Sequence, residues 1–185
     1  RMQVADMVVA DGQDAMLPAA IALNTTAYLD DEGRGIGNPT ESALLLWLHD
    51  KGADYRALRT ENEVAERVPF STERKFMATS AVIDGAAWLF VKGAPEVVMG
   101  FCNISAADAT RVDSQLRQWQ DKAMRTLAFA CRRGDGLATE GLTLQAVVAI
   151  SDPVRDDVPD AVAACRSAGI DVKMVTGDTS ATAIE

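Results

Sequence analysis

The chain has 185 residues and a formal net charge of -9, with 27 acidic against 18 basic side chains. That balance excludes a general nucleic-acid or anionic-membrane binder, which needs a broad basic face to displace counterions, so any anionic ligand must meet a local basic cluster. The length holds one good-sized domain plus part of a second, and no apolar run approaches the roughly 20 residues that cross a bilayer.

The opening stretch carries no long apolar leader, and the three cysteines, Cys102, Cys131 and Cys165, are far apart without CxxC spacing. Neither a disulfide framework nor a zinc site is expected, and reduced thiols in a cytosolic setting fit best. The chain opens on Arg1 and stops at Thr182-Ala183-Ile184-Glu185 just where a helix begins, so it is expected to be a piece of a longer protein.

In chain order, residues 14–29 place Met16, Ile21, Leu23, Ala27 and Leu29 at apolar positions with few charges, which predicts a helix followed by a flexible stretch over 30–37. Asn38-Pro39-Thr40-Glu41 then sets an N-cap residue, a proline at the first helical position and an acid at the third before the apolar run 43–48. A helix from about 39 to 51 follows, ending at Gly52. Residues 53–67 read as a charged connector. The segments 77–83 and 86–91 flank Asp84-Gly85, a dipeptide suited to a tight hairpin.

Ser105 caps a segment with Val112, Leu116, Trp119 and Ala123 at helical spacing, and 126–132 and 142–150 read as strands. From Ser151 the character changes. Asp152-Pro153-Val154-Arg155 is a turn, 158–168 a helix, and 170–175 a short strand ending at Thr176-Gly177-Asp178. That strand-turn-helix grammar belongs to a parallel α/β layout and places a domain boundary near 150.

Two stretches carry candidate chemistry: Phe70-Ser71-Thr72-Glu73-Arg74-Lys75, and Lys92-Gly93-Ala94-Pro95-Glu96. A turn at 84–85 sets Met77 opposite Lys92, so Lys75 and Lys92 fall at the same open end of two adjacent strands. Two cations there suit a polyphosphate, Gly93 and Ala94 leave room beside the backbone, and Phe70 offers a face on which a base stacks. Glu41 can accept from an exocyclic amine. Each residue also has a plainer reading: Glu41 closing a capping box, Phe70 in the core, Lys92, Arg74 and Lys75 as solvated charges, and Gly93-Ala94-Pro95 as a turn into a helix. His49 reads as a surface residue near a helix C-terminus. No GxxxxGK[ST] loop occurs.

Five short motifs stand in order: Gly37-Asn38-Pro39-Thr40-Glu41-Ser42-Ala43-Leu44, Pro69-Phe70-Ser71 through Arg74-Lys75 to Met77, Lys92-Gly93-Ala94-Pro95-Glu96, Asp152-Pro153-Val154-Arg155, and Met174-Val175-Thr176-Gly177-Asp178. Together they resemble the P-type cation-transporting ATPases of the second class, closest to bacterial calcium-pump-like members, over nearly the whole chain. The resemblance implies an α/β (α+β) architecture with two parts. Residues 1–151 form an antiparallel sheet flanked by helices, the nucleotide-binding domain, with 1–8 a hinge where the chain enters. Residues 152–185 form part of a haloacid-dehalogenase-like phosphorylation domain.

By the same resemblance, Phe70 stacks on adenine, Glu41 contacts its amino edge, Lys92 lines the pocket, and Lys75 and Arg125 reach toward the phosphates, with Arg125 otherwise readable as a helix C-terminal cation. Asp152 and Arg155 resemble a hinge pair, and Thr176, Gly177 and Asp178 the loop that later holds the transferred phosphoryl group. Thr72 stands where animal calcium pumps often have an arginine, so a phosphate contact is lost or supplied by Arg74. The phosphorylated aspartate, preceding an Arg1-Met2-Gln3-Val4-like stretch, is expected upstream.

The implied ligand is ATP, with Mg2+ accompanying it in the full-length protein. The implied partners are the phosphorylation, actuator and transmembrane domains of the same chain, on the cytoplasmic face of a membrane such as the bacterial plasma membrane. The fragment is expected to be monomeric and to bind ATP without turnover, with calcium as the ion by resemblance. A haloacid-dehalogenase-type phosphatase shares Thr176-Gly177-Asp178 but needs a strand ending in a nucleophilic aspartate, which the sequence does not offer. A non-catalytic nucleotide-binding module is a third reading.

Overall fold

The computed structural model describes residues 2–10, 14–153 and 157–173. Strand β1 (Gln3–Val9) leads through a short 3-10 turn at Asp14–Met16 into α1 (Leu17–Leu23). A two-residue hairpin, β2 (Tyr28–Leu29) and β3 (Gly35–Ile36), precedes α2 (Pro39–Asp50) and α3 (Tyr55–Glu61). Next come β4 (Glu63–Val68), β5 (Phe76–Ile83), β6 (Ala86–Gly93), α4 (Pro95–Val98), α5 (Ala106–Asp121), β7 (Arg125–Arg133), β8 (Thr143–Ser151) and α6 (Val158–Ser167).

Six strands make one sheet in the order β1-β8-β7-β6-β5-β4, and every neighbouring pair is antiparallel. The chain therefore begins on one edge, crosses the whole sheet through α1, α2 and α3, and returns strand by strand. Side chains alternate between faces along each strand. On one face Phe90, Phe129, Ala146 and Val148 pack with the buried sides of α1 and α2 and with Tyr55. On the other, Leu89, Val91, Ala128, Val147 and Ala149 pack with Val98, Val112, Leu116 and Trp119.

The local signals that place these elements are visible. Asn38 accepts from the backbone N–H groups of Thr40 and Glu41 at the head of α2, and Ser105 accepts from Asp108 at the head of α5. Asp84 and Gly85 both take positive φ, 50° and 72°, the geometry of a two-residue hairpin turn that follows the strand twist. Met77 faces Lys92 across β5 and β6, as the turn position predicts. The edge strands are blunted: β1 and β4 each carry an irregularity, at Val4/Asp6 and Val64/Glu66, and β4 presents Glu63, Glu66 and Arg67.

Three expectations need correction. The helix over 14–29 stops at Leu23, because Asn24 turns its amide onto the sheet: Nδ2 donates to the carbonyls of Met77 and Phe90 at 3.2 and 3.4 Å, and Oδ1 accepts from Thr79 Oγ1 at 2.8 Å. The connector over 53–67 holds α3, capped by Asp54, and β4. Residues 170–173 of the expected 170–175 strand carry no regular structure, and Ile170 and Val172 are exposed; among the described residues no strand pairs with them. Residues 174 and 175 lie outside the described set.

Gly93 closes β6 where the backbone at the start of β5 runs against it. A Cβ there would lie 2.4 Å from the carbonyl oxygen of Lys75 and 2.7 Å from Cα of Phe76. Both atoms are main chain and cannot swing away, so Gly93→Ala should cost about 1–3 kcal/mol. Urea unfolding measures the loss, and amide shifts should change most over residues 70–76; an unperturbed variant would show that the approach is relaxed in solution.

Candidate functional site

The helix α2 begins beside the end of β6, and this meeting brings two of the singled-out residues together. Lys92 Nζ donates to Glu41 Oε1 at 2.5 Å and to Thr25 Oγ1 at 3.1 Å. Glu41 Oε2 accepts from the backbone N–H of Thr26 at 2.9 Å, from its hydroxyl at 2.8 Å, and from the N–H of Ala27 at 3.0 Å. The two side chains are only 7% and 10% exposed. Glu41 thus does not close a capping box: Asn38 caps α2, and the Glu41 carboxylate turns away to the loop after α1. Nor is Lys92 a solvated charge.

Burial pushes the Glu41 carboxyl up, but the adjacent ammonium and the hydrogen bonds from Thr26 outweigh it and hold its pKa below the ordinary carboxylate value. Burial lowers the pKa of Lys92, Glu41 opposes that, and Arg67 and Arg59 add repulsion. With a carboxylate in contact we take the pair as ionised at neutral pH. Arg59 and Arg67 thus stand near enough to Lys92 to repel it, a local positive excess on an acidic chain.

Arg125 belongs to the same corner. It opens β7, and its Nη1 donates to Thr40 Oγ1 at 3.0 Å, one residue before Glu41; it is not a helix C-terminal cation. The loop 69–75 enters β5 at the sheet end where β6 stops and β7 starts. Phe70 is 58% exposed there and is not a core residue. Arg74 Nη2 donates to the carbonyl of Pro69 at 2.9 Å. Lys75 adopts a positive φ of 58°, and its ammonium stands 3.5 Å from Glu96 with both side chains largely exposed, a pairing that constrains it little. Ala94 donates its N–H to the carbonyl of Lys75 at 2.9 Å, so the space left by Gly93 is taken by the protein's own backbone.

The corner therefore has a buried floor, Glu41 and Lys92, and at the same sheet end an exposed aromatic ring, Phe70, with three exposed cations, Arg74, Lys75 and Arg125. Asp152 follows β8 at this end and is exposed. Arg155, Thr176, Gly177 and Asp178 lie outside the described residues. The sequence reading passed over four contributors, Thr25, Thr26, Arg59 and Arg67, which fell in an assumed helix and an assumed connector; Asp54 as the cap of α3 was the available signal for Arg59. His49 is exposed, and burial pushes the Cys102 and Cys131 thiols up to about 12, keeping them protonated. A cleft of about 670 Å³ beyond the C-terminal end of α2 is lined by His49 but by none of Glu41, Phe70, Lys75, Lys92 or Arg125; Asp30, Asp31, Glu32 and Asp54 on its walls repel a polyphosphate.

A family model described as "P-type ATPase, cytoplasmic domain N" matches residues 13–157. The chain belongs to the P-type ATPase family. Among curated proteins it is 35% identical to calcium-transporting ATPase PAT1 of Dictyostelium discoideum over 91% of this chain and 17% of that protein. It is 32% identical to calcium-transporting ATPase 1 of Lactococcus lactis, over 98% of this chain and 22% of that one. Plasma membrane calcium-transporting ATPase 1 of Gallus gallus is 34% identical over 99% and 19%. The chain thus spans about a fifth of the length of these relatives. Membership of the P-type ATPases sets aside the phosphatase reading, and the helix-flanked antiparallel sheet is the fold the resemblance implied. Among the described residues no helix is long and apolar enough to cross a membrane.

The ion pair generates a stability prediction for this P-type ATPase domain. Glu41→Gln leaves a buried ammonium without its counter-charge and should cost about 3–5 kcal/mol at neutral pH, with Lys92→Met added in the same chain recovering much of the loss. Because the folded pKa of Glu41 is lowered, its contribution is complete above the unfolded value near 4.5 and disappears as pH falls through the lower folded value. Urea unfolding between pH 7 and about pH 3 should therefore show a steeper acid loss in the wild type than in the Gln variant. Equal slopes and equal stability would mean that the pair contributes nothing.

Proposed function

We propose that this domain binds ATP at the corner formed by Glu41, Phe70, Lys75, Lys92 and Arg125 and presents its γ-phosphate to an aspartate outside the chain, powering cation transport by the full-length protein. The observation that carries the reading is the local reversal of charge. On a chain of net charge -9, Lys92 and Arg125 bond Glu41 and Thr40 at the head of α2, Arg59 and Arg67 stand near enough to repel Lys92, and the exposed ring of Phe70 lies at the same sheet end. Cations answer the phosphates, and an exposed ring answers a base.

In this assignment Phe70 stacks on adenine, Lys75 and Arg125 face the polyphosphate with Arg74 at the rim, and Lys92 and Glu41 form the floor. Gly93 and Ala94 hold the backbone of the loop against β6. Phosphoryl transfer to an aspartate, followed by hydrolysis, is the reaction in which the full-length protein would use the delivered nucleotide. Magnesium would arrive with the nucleotide phosphates: among the described residues no group of three or more His, Cys, Asp or Glu offers a metal site. The names of the relatives support calcium as the transported ion, and residues 152–185 serve as part of the phosphorylation domain, joined through the hinge pair Asp152 and Arg155.

An amide chemical-shift titration with ATP tests the reading. Saturable shifts should cluster on Glu41, Phe70, Lys92 and Arg125, with a Kd between roughly tens of micromolar and millimolar, about -4 to -6 kcal/mol. Phe70→Ala should weaken binding by about 1–3 kcal/mol through lost stacking, and Lys75→Ala by less, since its charge is solvated. Both residues are exposed, so neither change should unfold the domain. Absence of shifts at millimolar ATP would remove the assignment.

A further inference from the structure

The turn after α1, residues 24–27, is held from two sides. Its amide hydrogens point one way: Thr26 and Ala27 donate to Glu41. Two of its carbonyls, together with that of Ala22 at the end of α1, are taken by one guanidinium. Arg59 Nε donates to the carbonyl of Ala22 at 2.8 Å, and Nη2 donates to those of Thr25 and Ala27 at 2.8 and 2.9 Å. The guanidinium carbon lies 5.0 Å from the ring centroid of Tyr55, whose hydroxyl accepts from Leu29 N–H. Arg67 adds a second clamp, donating from Nη2 to the carbonyl of Leu23 at 2.9 Å.

This arrangement accounts for the posture of the buried pair. Glu41 needs four donors to remain ionised in so dry a place, and three of them come from Thr26 and Ala27. Those donors converge only while the turn keeps one conformation. No regular ladder fixes it: Asn24 anchors its first residue to β5 and β6, and the planar fork of Arg59, reaching the carbonyls of Thr25 and Ala27 as well as Ala22, holds the rest. Thr25, which receives a hydrogen bond from Lys92, belongs to the same turn.

We infer that Arg59 is a positioning residue of the nucleotide site: without touching the ligand, it locks the 24–27 turn and so fixes where Glu41 and Lys92 stand. The inference rests on the ATP-binding reading above and extends it to a residue behind the floor. It separates two arginines on one helix. Arg56 also bonds a carbonyl, that of Leu29 at 2.6 Å, and the hydroxyl of Tyr55, but it lies beyond the turn and makes no bond to residues 24–27.

The test compares Arg59→Lys with Arg56→Lys, both of which keep the charge and lose the fork. At a temperature where both variants are folded, amide hydrogen exchange should show the Thr26 and Ala27 protection lowered about tenfold or more in Arg59→Lys, and the ATP Kd from shift titration raised about tenfold, with Arg56→Lys near wild type in both. Unchanged protection in Arg59→Lys overturns the inference, as does lost protection with an ATP Kd equal to that of Arg56→Lys. A wild-type protein that shows no saturable ATP shifts is a different failure: it removes the nucleotide reading and this extension with it. Wild-type binding alongside equal variants removes the extension alone.

Discussion

The Glu41–Lys92 contact joins three parts of the chain. Lys92 stands on a central strand, Glu41 at the head of α2, and the donors that complete the carboxylate come from the turn leaving α1. A buried carboxylate is tolerated only when its oxygens are satisfied, so this one dictates where three segments must sit relative to the sheet. A pair of apolar residues would fill the same volume without that directional demand. The polar pair is therefore better understood as specifying an arrangement than as adding stability, and a ligand site is where a specified arrangement is useful.

The sheet supplies the other constraint. Because every pairing is antiparallel and the meander runs from β4 to β8, strand ends alternate, and the same edge collects the loop before β5, the end of β6, the start of β7 and the end of β8. Residues 55 positions apart in sequence, Phe70 and Arg125, arrive at one end for that reason alone. Excess negative charge elsewhere is no obstacle. Over distances beyond about 10 Å exposed carboxylates are screened at physiological salt, while the half-buried Arg59 and buried Lys92 are screened far less.

Much of this was legible before any coordinates. The Asp84-Gly85 turn fixed the register of β5 and β6, and caps at Asn38 and Ser105 marked two helices, because such signals act within a few residues. The helix over 14–29 failed for a non-local reason: the amide of Asn24 is drawn to Met77, Phe90 and Thr79, more than fifty positions away, and no local propensity reports that. Strand β4 was hidden by its own edge position, where charges replace the apolar alternation that betrays a buried strand. At the site, Glu41 and Lys92 could be named, but their contact could not. The Asp54 cap could place Arg59 on a helix, but not its role, because its acceptors are backbone carbonyls, which carry no sequence signature.

The end of the sheet that carries the site is also where β1 starts and β8 ends. Gln3, at the start of β1, pairs with Ser151, at the end of β8, and Arg125 pairs with Ile150 one residue before it. Residues 152 and 153 continue from that point. A nucleotide held by Phe70, Lys75 and Arg125 would thus sit at the sheet end where β1 starts and β8 finishes. The edge pairing of β1 on β8 adds stiffness at the same place, since motion about paired strands moves the sheet, and the ligand with it, as one body.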